Sequence, residues 1–369
     1  MRIGIDVHSI GSGNGGNETY YRSLLAALRR MDKENQYFLY YTRAGGFANH
    51  GLEANFHARR ILPNTPYLRI PFALPARIKR EPIDIYHAQF ILPPFVSARM
   101  VTTIPDIAYE HYPEFFPSYQ RAWSRLLIRS AARRADHIIT VSEHSKRDIA
   151  ETYGVNPDRI TVTSEAAGEN FYPRPKDQAQ EIVQRYGVKG NFILYLGRLQ
   201  GRKNLTCLVN AYSLIRKQGC EHKLVMAGRP DSLFEITKQR IRDLGLDQEI
   251  LLPGYVSQED VPWFYSAADV FVYPSLYEGF GLPVLEAMAC GLPVITSRGS
   301  SLEEVAGAAG LLVDPLDELS IANAMRHLLS NSELRARISE AGLKRSAAFS
   351  SIEMGRRTLE VYEHVMGNE

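Results

Sequence analysis

The chain predicts an α/β architecture of two parallel-sheet domains, and three observations predict it. Strand and helix patterns alternate from end to end, the order that gives parallel sheets covered by helices. A length of 369 residues exceeds one ordinary core and suits two domains of similar size. The proline-containing polar stretch Phe171-Tyr-Pro-Arg-Pro-Lys-Asp177 separates two series of strand patterns, as a linker would.

The first series of apolar runs lies near Arg2–Val7, Gln36–Thr42, Ile83–Ala88, Met100–Ile104, His137–Val141 and Arg159–Thr163. The second lies near Phe192–Gly197, Lys223–Gly228, Ile250–Leu252, Val270–Tyr273, Pro293–Thr296 and Leu311–Val313. Three helical patterns follow, the last from Ile352 to Met366. The expected domains are therefore residues 1–172 and 173–350, with 351–369 as a terminal helix. Open α/β sheets bind ligands at the carboxyl ends of their strands, so the expected site is a cleft between two such sheets.

Composition narrows the function. The formal net charge of +2 gives no bulk attraction to nucleic acid. Cys207, Cys220 and Cys290 have no metal-ligand spacing and read as free thiols in a reducing cytosol. Met1-Arg-Ile-Gly-Ile-Asp6 runs straight into a strand, which argues against a signal peptide, and no window approaches the roughly 20 apolar residues of a membrane span. The expected location is the cytoplasm.

The most informative segment is Glu278-Gly-Phe-Gly-Leu-Pro-Val-Leu-Glu286. The strand Val270–Tyr273 ends at Pro274, and helical spacing runs from Leu282 to Cys290 before Gly291. Glu278 thus falls in a loop at a strand's carboxyl end, and Glu286 about one turn into the following helix. The amides of Gly279, Phe280, Gly281 and Leu282 form that helix's N-terminus and attract anions. Carboxylates flanking an anion-binding turn suit a phosphorylated sugar compound. A second loop, Gly197-Arg-Leu-Gln-Gly-Arg-Lys-Asn204, follows the strand Phe192–Leu196 and carries Arg198, Arg202 and Lys203. A departing diphosphate gains charge that a metal or fixed cations must stabilise. The chain has no D-x-D motif to hold a hard cation, which favours Arg198 and Lys203, with Arg202 expected toward solvent. A glycine-rich loop, Gly11-Ser-Gly-Asn-Gly-Gly-Asn-Glu-Thr-Tyr20, follows the first strand but does not fit the dinucleotide fingerprint.

The Glu278–Glu286 segment resembles the E-x7-E motif of the family 4 retaining glycosyltransferases (glycosyltransferase group 1), and further landmarks of that family appear in order along nearly the whole chain. The resemblance implies the GT-B fold, two Rossmann-like domains facing across a cleft, with the C-terminal helix crossing back onto the first domain. It implies that Glu286 binds the ribose hydroxyls of a UDP- or GDP-linked hexose and that Glu278 contacts the donor sugar. It also implies that Arg198 and Lys203 hold the diphosphate, that Gly15 and Gly16 approach it, and that the loops bearing Gly228 and Val256 cradle the base through backbone groups. No metal or other cofactor is implied.

Many relatives carry a histidine directly before an aspartate at the end of a first-domain strand. This chain has Pro105 there, followed by Asp106, with His111 nearby, so Asp106 and His111 are the candidates at the reacting centre. Gln120–Ala135 carries Arg121, Arg125, Arg129 and Arg133 at four-residue spacing, a cationic ridge on the acceptor domain. It suits either a solvated face or a lipid-linked acceptor at an anionic membrane. The expected function is retaining, metal-independent hexosyl transfer to a glycan or lipid-linked acceptor in bacterial surface polysaccharide biosynthesis. The alternatives are a nucleotide-sugar epimerase of the same fold and a non-catalytic nucleotide-sugar-binding protein.

Overall fold

The computed structural model describes residues 1–12, 15–43 and 53–367, so Gly13 and Asn14 of the first glycine-rich loop lie outside the described residues. It contains two compact units. The first comprises Met1–Glu165 together with Ser350–Glu369, and the second Ala166–Phe349. The first unit ends at Glu165 rather than at 172, so the proline-containing stretch Phe171–Asp177 opens the second unit instead of dividing the two.

The first unit is built on a seven-stranded sheet: β1 (Arg2–Asp6), β2 (Gln36–Tyr41), β3 (Phe56–Arg60), β4 (Ile85–Gln89), β5 (Arg99–Thr103), β6 (His137–Thr140) and β7 (Ile160–Val162). The order is β3-β2-β1-β4-β5-β6-β7, and every pairing is parallel. Chain progression reverses between β1 and β4, the position where such sheets open a crevice for ligands. The edge strand β3 has no counterpart among the sequence expectations. Only Phe56 of its five residues is buried, and the strand is held by pairing along β2.

The helix Ser351–Val365 returns to this unit and buries Met354, Val361 and Tyr362. At Gly355 a Cβ would lie 2.8 Å from the Ala27 Cβ of the helix Gly15–Met31, so the glycine lets the Ala27 methyl pack against the last helix's backbone. Tyr362 then reaches into the sheet, its hydroxyl 2.6 Å from His87 Nδ1, while His87 Nε2 lies 2.7 Å from the Thr103 hydroxyl. Burial pushes His87 down to about 3, so the ring is neutral and serves as a polar spacer.

The second unit has a six-stranded parallel sheet: β8 (Phe192–Leu196), β9 (Lys223–Ala227), β10 (Ile250–Gly254), β11 (Val270–Tyr273), β12 (Val294–Ser297) and β13 (Leu311–Val313). Its order is β10-β9-β8-β11-β12-β13, with the reversal between β8 and β11. The inner strands β8, β9, β11 and β12 are buried on both faces, which is why they read as continuous apolar runs.

Candidate active site

The reversal in the second sheet brings together the two loops that the sequence singles out. After β8 the chain makes one 3-10 turn, Gly201–Lys203, and Asn204 takes a left-handed conformation (φ 60°) before the helix Leu205–Lys217. Asparagine tolerates that region better than most residues. Its side-chain amide donates to the Pro274 carbonyl at 3.2 Å, fastening this loop to the end of β11. The Leu276 amide donates to the Arg202 carbonyl at 3.0 Å as a second tie.

Lys203 is buried, and its ammonium donates to Glu278 Oε1 and, at 2.9 Å, to the Tyr273 hydroxyl. Arg202 donates to the Tyr277 carbonyl and, at 3.2 Å, to Glu278 Oε2. Arg202 is therefore turned inward, against the expectation that it faces solvent, because Glu278 offers a second oxygen that Lys203 leaves open. Burial opposes ionisation of Glu278, but the Lys203 and Arg202 charges outweigh it and hold the carboxyl down to about 2. Glu278 is an anion at any physiological pH. Tyr273 stacks on Tyr195 of β8 with centroids 5.5 Å apart, which forms the floor beneath this cluster. Arg198 is exposed and has no side-chain partner among the described residues.

Beyond Glu278, the Ser301 hydroxyl donates to the Glu278 carbonyl at 2.7 Å and lies 3.0 Å from that of Phe280, so the turn is held from behind. Gly281 adopts φ 114°, and a Cβ there would lie 2.5 Å from Leu302 Cδ2; glycine is required on both counts. The helix Leu282–Ala289 begins next, its first amides lacking a carbonyl one turn earlier. Glu286 sits in this helix and accepts from the Tyr265 hydroxyl at 3.0 Å. Burial pushes Glu286 up to about 7, with the Tyr265 bond opposing only in part. The two glutamates are thus held in opposite electrostatic states, one fixed as a carboxylate and one balanced near neutrality.

Gly228 follows β9 with φ 148°, and a Cβ there would lie 1.7 Å from the Gly197 carbonyl oxygen, so the loops after β8 and β9 are in direct contact. The Gly228 amide donates to the Gly254 carbonyl at 2.8 Å, and Val256 is buried just beyond. Here the Arg229 guanidinium lies 4.3 Å from the Tyr255 ring centroid. Arg198, Lys203, Gly228, Val256, Glu278 and Glu286 all belong to the second unit, at or following the carboxyl ends of β8, β9, β10 and β11. Tyr265 and Tyr273 complete this set. Tyr273 was legible only as a strand end, and nothing in the local pattern marks Tyr265.

In the first unit, Gly15 and Gly16 open the helix Gly15–Met31, and a Cβ at either would meet nothing within 4 Å among the described residues. Asp106 follows β5, its Oδ1 accepting from the Ala108 amide at 3.0 Å at the start of the short helix Ala108–His111. His111 is exposed, with Nε2 2.6 Å from Asp148 Oδ1 of the helix Glu143–Tyr153. Both residues thus have local structural partners.

Comparison with known proteins identifies the family. Residues 14–165 match the model described as Glycosyltransferase Family 4, and residues 178–345 that of Glycosyl transferases group 1. The chain is 32% identical over 323 residues to the O-antigen chain mannosyltransferase B of Escherichia coli, covering 86% of this chain and 84% of that protein. It is 30% identical over 239 residues to the serotype-specific mannosyltransferase WbdA of Escherichia coli, covering 63% of this chain but only 29% of that longer protein. The sucrose-phosphate synthase structure from Thermosynechococcus elongatus superposes over 100% of both chains with a TM-score of 0.81 at 20% identity, a likeness of fold. By its two matched halves and its full-length relative, the chain belongs to the group 1, family 4 glycosyltransferases of GT-B fold.

Proposed function

We propose that the protein transfers a mannosyl or related hexosyl group from a nucleoside-diphosphate sugar to a glycan or lipid-linked sugar hydroxyl, with retention of configuration and without a metal, in bacterial surface polysaccharide assembly. The observation that carries this reading is the buried Lys203–Glu278–Arg202 cluster beside the Glu286 helix. With exposed Arg198, three cations stand against one carboxylate, a surplus suited to a diphosphate that gains charge as its bond to the sugar breaks. The glycosidic C–O bond to phosphate breaks as the acceptor oxygen bonds the same face of the anomeric carbon, and the acceptor proton passes to the leaving phosphate oxygen. Glu278, a permanent hydrogen-bond acceptor, holds donor-sugar hydroxyls, and Glu286 holds the ribose diol. Asp106 and His111 are assigned catalytic roles, and Gly15 and Gly16 a role in diphosphate binding. Incubating the protein with GDP-mannose, UDP-glucose or ADP-glucose and methyl α-D-mannopyranoside in EDTA tests this. An α-linked product by anomeric NMR is expected. A β-linked product, or turnover abolished by EDTA, would overturn the mechanism.

The acceptor is assigned to a cytoplasmic, anionic membrane face. No helix among the described residues is long and apolar enough to cross a membrane, so contact there would be peripheral. The helix Ser118–Arg134 carries the four-arginine ridge along one face. Arg125 pairs with Glu110, whereas Arg121, Arg129 and Arg133 have no acidic partner among the described residues. Beside them Trp123 is 51% and Tyr67 68% exposed, their rings 6.4 Å apart, with Leu68, Phe72, Tyr119 and Leu126 also exposed. Aromatic and aliphatic groups among unpaired arginines match the chemistry of a lipid interface. Each cation near such a surface contributes about 1 kcal/mol, so glutamate at Arg121, Arg129 and Arg133 together is expected to weaken binding to phosphatidylglycerol vesicles by at least about a hundredfold. Unchanged co-sedimentation would remove the membrane from the proposal.

A further inference from the structure

The loops after β8, β9 and β10 converge on Arg229, a residue to which the transferase reading gives no task. Its backbone is tied down beyond the contact between Gly228 and Gly197. The Leu199 amide donates to the Arg229 carbonyl at 2.9 Å, and the Asp231 amide donates to the Leu199 carbonyl at 3.0 Å. Leu199 and Pro230 thus form a parallel bridge past the ends of β8 and β9. Asp231 Oδ1 then accepts from the Leu233 and Phe234 amides, at 2.9 and 3.1 Å, which leads the chain into the helix Phe234–Asp243. Arg229 therefore projects from a fixed base.

Its side chain is held by stacking rather than by an acid. The guanidinium carbon lies 4.3 Å from the ring centroid of Tyr255, the residue that directly follows β10. Arg229 is exposed, Tyr255 is 51% exposed, and the guanidinium has no hydrogen-bond or ion-pair partner among the described residues. Stacking on a ring engages the face of a guanidinium and leaves its in-plane N–H groups free to donate. Two side-by-side acceptors are what such an open fork matches.

The sheet order sets where those acceptors would lie. β9 and β10 are the first and second strands from β8, on the side away from β11. At about 4.8 Å per strand, Arg229 and Tyr255 are offset by roughly 5–10 Å from the loop that carries Arg198 and Lys203. A nucleotide with its diphosphate at those cations can extend its base along the strand ends to this pair. Glu286 leans the same way, since its partner Tyr265 stands in the helix Val261–Ala267 that follows Tyr255. Guanine presents O6 and N7 as adjacent acceptors on one edge. Adenine pairs N7 with an amino donor there, and a pyrimidine such as uracil offers only O4.

We propose that Arg229, braced by Tyr255, selects guanine by donating to O6 and N7, so that the donor is a GDP-linked sugar. This rests on the transferase reading above and names the nucleotide within it. Arg229 is the specificity-determining residue, and Tyr255 positions it.

The test is calorimetric titration of the full chain with GDP, inosine diphosphate, ADP and UDP. Inosine diphosphate keeps O6 and N7 and lacks only the 2-amino group. GDP and inosine diphosphate are expected to bind at least about tenfold more tightly than ADP or UDP. Arg229→Ala is expected to erase that preference by weakening the first two, while ADP and UDP bind as before. Arg229→Lys, a point charge without the fork, should restore only part of it. Tyr255→Phe keeps the ring face and should bind as the parent does, whereas Tyr255→Leu should lose part of the preference. All four variants should unfold within a few degrees of the parent, because both side chains are exposed. A parent without the preference overturns the assignment. So does an Arg229→Ala protein that loses affinity for all four nucleotides equally, which would make Arg229 a phosphate contact. Failure of every diphosphate to bind the parent defeats the transferase reading itself, whereas tight binding of UDP alone sinks only the choice of guanine.

Discussion

Replacing Lys203 with alanine is expected to lower the unfolding free energy by about 3–5 kcal/mol and to cut turnover of the activated sugar at least about a hundredfold. The two losses have different origins. Removing the ammonium leaves the buried Glu278 carboxylate with Arg202 alone, at 3.2 Å, and leaves the Tyr273 hydroxyl without its donor. A buried charge deprived of its partner is the costly case, whereas replacing both partners together is often close to neutral. The double variant Lys203→Met with Glu278→Gln should therefore recover more than half of the stability in urea denaturation. Turnover should not recover, because the diphosphate still lacks its cation. If single and double variants were equally unstable, the pair would not be coupled and the account of this site would fail.

The same cluster sets a pH dependence. The Glu278 carboxyl is held down to about 2, below its usual 4.5, so the folded state binds the proton more weakly than the unfolded one. The resulting stabilisation is fully present above pH 4.5 and is lost as pH falls from there toward 2. Its size, about 3 kcal/mol, is in line with the loss expected for Lys203→Ala.

Much of this architecture is legible in the chain because the buried strands are apolar on both faces. Val270–Tyr273 is bounded in the structure by the residues its composition suggests. The edge strand Phe56–Arg60 is not legible, because its polar residues are held by backbone pairing with β2, which no local pattern encodes. Chemistry follows the same division. Glu278, Glu286 and Lys203 announce themselves by spacing within single loops. The inward turn of Arg202 depends on a carboxylate 76 residues later, and Arg69 meets Asp6 across 63 residues. The return of the last helix rests on Tyr362 meeting His87, 275 residues earlier. Polar pairs formed at such separations leave no trace in periodicity, whereas residues close together in one loop do.

Glu286→Gln should have the opposite sign from Lys203→Ala: a more stable protein that handles its donor poorly. Burial pushes this carboxyl up to about 7 from its usual 4.5. Between those values the unfolded chain has lost the proton while the folded chain keeps it, so stability falls as pH rises through the window and stays reduced above it. Glutamine removes the ionisation yet still accepts from the Tyr265 hydroxyl, 3.0 Å away in the parent. At pH 8.5 the variant is expected to gain roughly 2 kcal/mol in urea denaturation, discounted because the side chain keeps some contact with solvent, and at pH 4.5 almost nothing. Donor affinity should move the other way, dropping about tenfold and losing its dependence on pH near 7, since a carboxylate accepts both ribose hydroxyls where an amide accepts one. A stability difference that is the same at both pH values would mean that Glu286 does not titrate in the folded protein. A gain in stability with donor affinity intact would instead place the ribose elsewhere, and would leave the strained carboxyl in this helix without a function.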